Sequence, residues 1–114
     1  MNECSKIKNI ETIDESEFFV SDNLEHLSQL FKAMSDPTRL KIIFVLSKGE
    51  LSVQDIADRL HMSQSSISHQ LKTLRVIHLV KYRRDGKKIL YSLDDDHVLQ
   101  LFAEGLEHVL HLYD

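Results

Sequence analysis

Residues 52–75, SVQDIADRLHMSQSSISHQLKTLR, decide the fold of this 114-residue chain. Ser52 and Ser63 each precede a run with apolar residues at helical spacing, and serine is a preferred residue immediately before a helix. The stretch therefore predicts a short helix, 53–60, a tight connection, and a longer helix that ends at Arg75. Two helices joined in this way are typical of a helix-turn-helix, whose second helix presents side chains to the major groove of DNA.

The outward face of this second helix carries hydroxyl, amide and basic groups. Glutamine can form two hydrogen bonds with adenine, and serine can bind a base or a phosphate. A serine before a helix is also an ordinary cap, and that structural role is sufficient for Ser63. The residues predicted to contact DNA are Gln64, Ser65, Ser66, Ser68, His69 and Lys72.

A β-hairpin is predicted directly after the second helix. Residues 79–84 and 88–93 alternate apolar and polar positions around Asp85-Gly86, a strong signal for a two-residue turn. A basic hairpin in this place is the wing of a winged helix, and its tip could contact phosphate or a minor groove. The basic residues at the tip are Arg83, Arg84, Lys87 and Lys88.

The segments before residue 52 complete the predicted architecture. Apolar spacing indicates a helix over residues 22–35, and Asp36-Pro37 is a typical start for the next helix. Residues 1–21 are polar and acidic, which predicts a flexible arm or a short helix ahead of one domain, 22–114. The fold class is therefore mainly α with a small β-hairpin: a winged helix-turn-helix, in a homodimer built on the N- and C-terminal helices.

Charge is distributed unevenly along the chain. Residues 37–91 hold 11 Lys and Arg against 4 Asp and Glu, whereas the flanking segments together hold 3 against 14. A basic centre between acidic ends suits a chain whose middle meets phosphate. No leader and no membrane-spanning run is evident, so a cytoplasmic chain without membrane contact is expected. No phosphate-binding glycine loop or nucleophile constellation indicates an enzyme.

Residues 94–111, DDDHVLQLFAEGLEHVLH, predict one long helix with histidines along one side. His97 and His108 would be separated by only about 20° around the axis but by roughly 16 Å along it. Ligands of one zinc ion must each lie about 2.0 to 2.2 Å from it, so one helix cannot close the site. Two antiparallel copies about a two-fold axis would bring His97 of one chain beside His108 and His111 of the other. The pattern therefore predicts a homodimer with two equivalent metal sites.

Asp95 can supply a fourth ligand, because a residue at the helix start need not follow helical spacing. Asp94 and Asp96 remain alternatives, and an ordinary capping role would also explain an acidic cluster here. Three imidazoles and one carboxylate suit Zn(II), with Co(II) as its natural mimic.

With these motifs in view, the chain resembles the ArsR/SmtB family of metal-responsive winged-helix repressors, from about Leu24 to His111. The resemblance rests on DPTRLKIIFVL (36–46), SQSSISHQLKTLRVIHLV (63–80), the basic wing ending in YSL (91–93), and the terminal D-x-H-x10-H-x2-H pattern. That terminal pattern is similar to the CzrA-type zinc and cobalt sensors. It implies that the metal ligands are Asp95, His97, His108 and His111.

The resemblance also implies a mechanism. The metal-free dimer would bind double-stranded operator DNA containing an inverted repeat, and Zn(II) or Co(II) would cause release and derepression of metal efflux or resistance genes. A ligating histidine should donate its second N–H to an acceptor near Ile77 to Leu79, at the end of the recognition helix.

Three alternatives remain open. Residues 50–55 lack the cysteines with which this family binds soft ions, so a thiolate site there is not expected. A nickel-type sensor would need extra ligands, for which His26, Glu3 and Cys4 are available. A winged-helix repressor that ignores metal, or one that senses thiol chemistry through Cys4, would have the same DNA-binding parts.

Overall fold

The computed structural model describes residues 10–113, so Glu3 and Cys4 lie outside the described part of the chain. In chain order its elements are α1 Glu15–Phe19, α2 Asp22–Met34, α3 Pro37–Leu46, α4 Val53–Leu60, α5 Gln64–Val76, β1 Val80–Asp85, β2 Lys88–Leu93 and α6 Asp96–Leu112. The predicted pair of helices around residues 61–63 is thus α4 and α5, and the predicted wing is the hairpin β1–β2. Within residues 10–113, no helix combines the length and apolar character needed to span a bilayer.

Side-chain caps fix where the central helices begin. Asp36 accepts the N–H of Arg39 at 3.0 Å, Ser52 accepts the N–H of Asp55 at 3.1 Å, and Ser63 accepts the N–H of Ser66 at 3.1 Å. Each bond satisfies a first-turn N–H that has no partner inside its helix. The starts predicted from the sequence for α3, α4 and α5 are therefore confirmed.

The hairpin turn lies one residue later than predicted. The strands are antiparallel, and their register runs from Val80 opposite Leu93 to Asp85 opposite Lys88. Asp85 is therefore the last paired residue of β1, and the two turn residues are Gly86 and Lys87. Gly86 has φ of 65°, a conformation that glycine adopts without steric cost and that tight hairpin turns require.

The core lies where α3, α4 and α5 meet, and the hairpin closes one side of it. Its fully buried side chains include Ile42, Ile56, Ile67, Leu71, Leu74 and Leu79. Paired backbone hydrogen bonds between Leu51 and Tyr91, at 3.1 and 2.8 Å, tie the turn before α4 to β2. This packing turns the opposite face of α5 and the tip of the wing outward.

The helix α6 is only loosely packed in the single chain. Val98 is its one buried residue among those described, and it joins the core near β2. Beyond Val98, an open apolar groove of about 440 Å³ separates α6 from the end of α2. The groove is lined by Phe31, Met34, Leu40, Leu101, Phe102, Gly105, Leu106 and Val109.

Candidate metal centre and DNA interface

Asp95 and His97 form one half of the candidate metal centre, at the start of α6. Oδ1 of Asp95 accepts the backbone N–H groups of His97 at 2.9 Å and of Val98 at 3.3 Å. Its other oxygen, Oδ2, lies 3.5 Å from Nδ1 of His97. The side chains are 53% and 88% exposed, respectively, so the pair faces outward and is open to a further ligand.

The electrostatics of Asp95 favour its ionised form. Partial desolvation raises the pKa of this carboxyl, but hydrogen bonds from the N–H of Val98 and from the side chain and N–H of His97 more than offset it. The net effect lowers the pKa of Asp95 below its ordinary value. A metal ion would therefore meet a carboxylate that is already deprotonated.

The second half of the candidate centre lies at the other end of α6. His108 and His111 are both exposed and lie in its last two turns. In the described chain, no three side chains of the types His, Cys, Asp and Glu are close enough together to hold one ion. The protomer thus carries two separated pairs of donors, as expected for a site that one helix cannot close. Exposed imidazoles and a carboxylate with one oxygen outside the cap are a donor set that fits Zn(II).

The recognition helix α5 exposes most of the side chains predicted to contact DNA. Gln64, Ser65, Ser68, His69 and Lys72 are exposed, on the side opposite the buried residues of α5. Ser66 is half-buried, and its N–H is taken by the cap of Ser63. The exposed members form one polar surface that an approaching duplex could meet.

The wing tip is basic, but one of its cations already has a partner. Arg84, Lys87 and Lys88 are exposed. Arg83 donates from Nε and Nη2 to the two carboxylate oxygens of Glu50, each at 2.8 Å. The hydrogen bond from Arg83 is the main reason that the pKa of Glu50 is lowered, and the same bond raises the pKa of Arg83. Sequence reasoning missed this pair, because its members are 33 residues apart and meet only in the folded chain.

A second arginine that sequence reasoning missed lies behind the recognition helix. Arg39 donates from Nε to Oε1 of Gln70 at 2.9 Å and from Nη1 to the backbone oxygen of Ala33 at 3.5 Å. It belongs to the stretch 36–46 that supported the family resemblance, but nothing in the spacing indicates its contact with a residue 31 positions away.

Comparison with known proteins agrees with this geometry. Residues 36–82 match the family described as "Bacterial regulatory protein, arsR family". Over 88 residues the chain is 42% identical to the transcriptional repressor SmtB homolog of Synechocystis sp., covering 77% of this chain and 67% of that protein. It is 46% identical over 83 residues to the cadmium resistance regulatory protein CadC homolog of Staphylococcus aureus, covering 72% and 69%.

A solved structure is similar over nearly the whole chain. It is the homodimeric winged helix-turn-helix domain of Mb0332 from Mycobacterium bovis, with a TM-score of 0.79 and 25% identity, covering 90% of this chain and 92% of that one. The predicted fold class is thereby confirmed: a mainly helical winged helix-turn-helix with a two-stranded wing, of a kind that forms homodimers.

Proposed function

Because the chain belongs to the ArsR family of bacterial regulatory proteins, whose relatives here are metal-responsive repressors and not enzymes, we propose that it represses transcription until it binds Zn(II) or Co(II). The observation that carries the choice of metal is the placement of Asp95 with His97 at one end of α6 and His108 with His111 at the other. Each pair is half of a tetrahedral donor set.

A second copy of the chain would complete these half-sites. The apolar groove between α2 and α6 leaves large side chains in water, with Phe31 51% and Val109 49% exposed. Burying such a surface against its copy is favourable, and a two-fold axis makes the contact self-complementary. Antiparallel α6 helices would then bring Asp95 and His97 of one protomer to His108 and His111 of its partner.

The metal would act on the relation between the two protomers. Bound in the dimer, it supplies bonds that cross between the chains. The four ligands come from this chain's own residues and leave no open position for a substrate. Asp95 is the preferred oxygen donor over Asp94 and Asp96, because its Oδ2 lies beside the His97 imidazole.

The start of α6 lies directly beside the end of the recognition helix. The N–H of Asp94 donates to the backbone oxygen of Leu79 at 3.0 Å, and the N–H of Leu79 donates to Leu74 in α5 at 2.9 Å. A displacement of Asp95 and His97 on metal binding can therefore reach α5 through few bonds. The backbone carbonyls of residues 77–79 are close enough in sequence to this junction to accept a histidine N–H, and a zinc-bound structure with every such N–H bonded to water would refute that acceptor.

DNA binding would use the exposed residues of α5 in the major groove and the wing tip on phosphate or in the minor groove. In a two-fold dimer the two recognition helices read half-sites related by the same axis, which makes the operator an inverted repeat. Because coupling is reciprocal, DNA must weaken metal binding by the same factor as metal weakens DNA binding.

The test is a titration with Co(II), followed by absorption spectroscopy, of the wild type and of His97→Ala, His108→Ala and His26→Ala. We expect intense tetrahedral bands that saturate at one metal per protomer, that are lost in the first two variants and that persist in the third. His26 is an exposed histidine on α2, away from the terminal helix, and serves as the matched control. Adding Zn(II) should release a fluorescent operator duplex from the wild type only where the bands are also present.

Other outcomes would separate the alternatives. Weak octahedral bands that depend on His26 would point to a nickel-type site with additional ligands. The absence of specific metal binding would leave a winged-helix repressor with a different signal. Release by Zn(II) that survives His97→Ala and His108→Ala together would refute the proposed ligands.

A further inference from the structure

Arg39 joins three helices through one guanidinium group. It lies in the first turn of α3, and it is half-buried. Its Nε donates to the amide oxygen of Gln70 in the middle of α5 at 2.9 Å, and its Nη1 donates to the carbonyl of Ala33 near the end of α2 at 3.5 Å. Both acceptors are neutral oxygens, and the carbonyl belongs to a helix C-terminus, where a cation is favoured by the helix dipole.

The two helices that Arg39 connects belong to different parts of the molecule. α2 packs chiefly against α1 and α3 and lines the apolar groove, whereas α5 packs chiefly against α4 and β1 and exposes the candidate base contacts. The guanidinium is thus a polar link between the groove side of the protomer and its recognition helix.

The chemistry of the link suits an orienting role. A guanidinium is planar and presents its donors in a fixed fork, so two acceptors on different helices fix each other's direction. Gln70 follows His69, which is exposed on the DNA-facing side of α5. Holding the Gln70 amide oxygen therefore limits rotation of α5 about its own axis, and with it the direction of its exposed side chains.

We propose that Arg39 is a positioning residue for DNA reading: by holding Gln70 to the end of α2, it fixes the orientation of the recognition helix relative to the dimer-forming helices. The spacing of the two recognition helices in the dimer follows from that orientation. The proposal rests on the DNA-binding part of the proposed function and is independent of the identity of the metal.

The experiment compares the full-length apo proteins Arg39→Met, Gln70→Leu and the double variant with the wild type. Two duplexes of equal length are used: an operator selected from a random library with the wild-type protein, and an unrelated sequence. We expect each single variant to bind the operator about tenfold more weakly, the size of one lost hydrogen bond to a charged group. The double variant should lose no more than either single variant, because both remove the same bond.

Binding to the unrelated duplex distinguishes positioning from direct contact. A positioning residue leaves that affinity, and the salt dependence of binding, unchanged. Parallel losses on both duplexes, with a salt slope smaller by about one, would make Arg39 a phosphate contact and overturn the proposal. Additive losses in the double variant, or no loss in either single variant, would overturn it as well.

Two controls keep the result interpretable. Thermal unfolding tests whether the variants fold, and Arg39→Lys replaces Arg39→Met if the latter does not. Lysine keeps the charge but lacks the fork, so the same selective loss on the operator is expected. If Zn(II) leaves operator binding of the wild type unchanged, the metal response fails while the comparison for Arg39 stands; if the wild type selects no sequence at all, both proposals fail.

Discussion

At the scale of single residues, the two oxygens of Asp95 face different partners. Oδ1 caps α6 by accepting two backbone N–H groups, whereas Oδ2 lies toward the His97 imidazole and the proposed metal. Capping and metal ligation are therefore separable, because asparagine caps a helix about as well as aspartate does but offers the metal no anionic oxygen.

Substitution of Asp95 should separate these two roles. Asp95→Asn is expected to unfold at nearly the wild-type temperature and to bind Co(II) at least about tenfold more weakly, since it lacks the charged ligand. Asp95→Ala should show the same loss of Co(II) binding and also melt roughly 4 °C lower, because the cap is gone. Thermal melts of the apo protein and competitive Co(II) titrations measure both. Wild-type bands and affinity in Asp95→Asn would move the oxygen ligand to Asp94 or Asp96.

The pair of Arg83 and Glu50 raises a different question at this scale, because Arg83 was predicted to contact DNA. An exposed ion pair contributes little to stability, yet Glu50 occupies two of the guanidinium's donors. Glu50→Gln should therefore release Arg83 for phosphate. We expect affinity for a non-specific duplex to rise roughly fivefold near 0.1 M salt and the salt slope to increase by about one.

The matched control for this change is Glu25→Gln, which removes the same charge from an exposed position on α2. It should leave the salt slope unchanged. An unchanged slope in Glu50→Gln would mean that Arg83 does not reach DNA even when free, and that its place is structural, holding the wing to the turn before α4.

Acidity should act on the same pair. Because the pKa of Glu50 is lowered in the folded protein, the pair's contribution to stability is complete above the ordinary carboxylate pKa of about 4.3. It is lost as the pH falls through the lowered value. Unfolding midpoints of Glu50→Gln and the wild type should therefore converge in strong acid, whereas any difference between them should be constant from pH 6 to pH 8.

At the scale of elements, Gly105 stands in the middle of α6, where glycine weakens a helix by about 1 kcal/mol relative to alanine. A methyl group added there would meet nothing within 4 Å in the single chain. Its position on the apolar groove supplies a reason for glycine that the single chain does not: close approach of a second copy.

Gly105→Ala should therefore strengthen the helix and weaken the dimer. We expect the dissociation constant of the dimer, measured by analytical ultracentrifugation, to rise about tenfold, as overpacking of a tight contact does. Co(II) affinity should fall with it, since each site needs both chains. A variant that is more stable and dimerises as tightly as the wild type would place the crossing of the α6 helices elsewhere.

Elements were predictable from the sequence where their causes are local. Ser52 and Ser63 cap the helices they were expected to cap, and the stripe of histidines on α6 follows from helical spacing. The hairpin turn was misplaced by one residue because Asp85-Gly86 and Gly86-Lys87 both offer glycine, and only strand pairing decides between them. The contacts of Arg39 and Arg83 depend on tertiary packing, which no local pattern encodes.

At the scale of the whole molecule, the single chain is incomplete in two respects that one partner would satisfy. The groove between α2 and α6 leaves apolar side chains exposed, and the donors at the two ends of α6 cannot meet within the described chain. The basic central segment and the acidic ends add a third feature, because the ends can pair around an axis while both basic wings remain free for DNA.

Sharing of the metal sites between chains can be tested by complementation. In a heterodimer of one His97→Ala chain and one His108→Ala chain, one site loses both histidines, whereas the other receives His97 and His108 from intact chains. With two different affinity tags to isolate this heterodimer, we expect about one tetrahedral Co(II) per dimer, half the wild-type number, although each homodimeric variant binds none. A heterodimer of His108→Ala with His111→Ala is the control, because each of its sites lacks one ligand, and it should bind no Co(II) at this strength. If the first heterodimer also binds none, the four ligands are not shared in the proposed way, since a site contained within one chain cannot be restored by a partner.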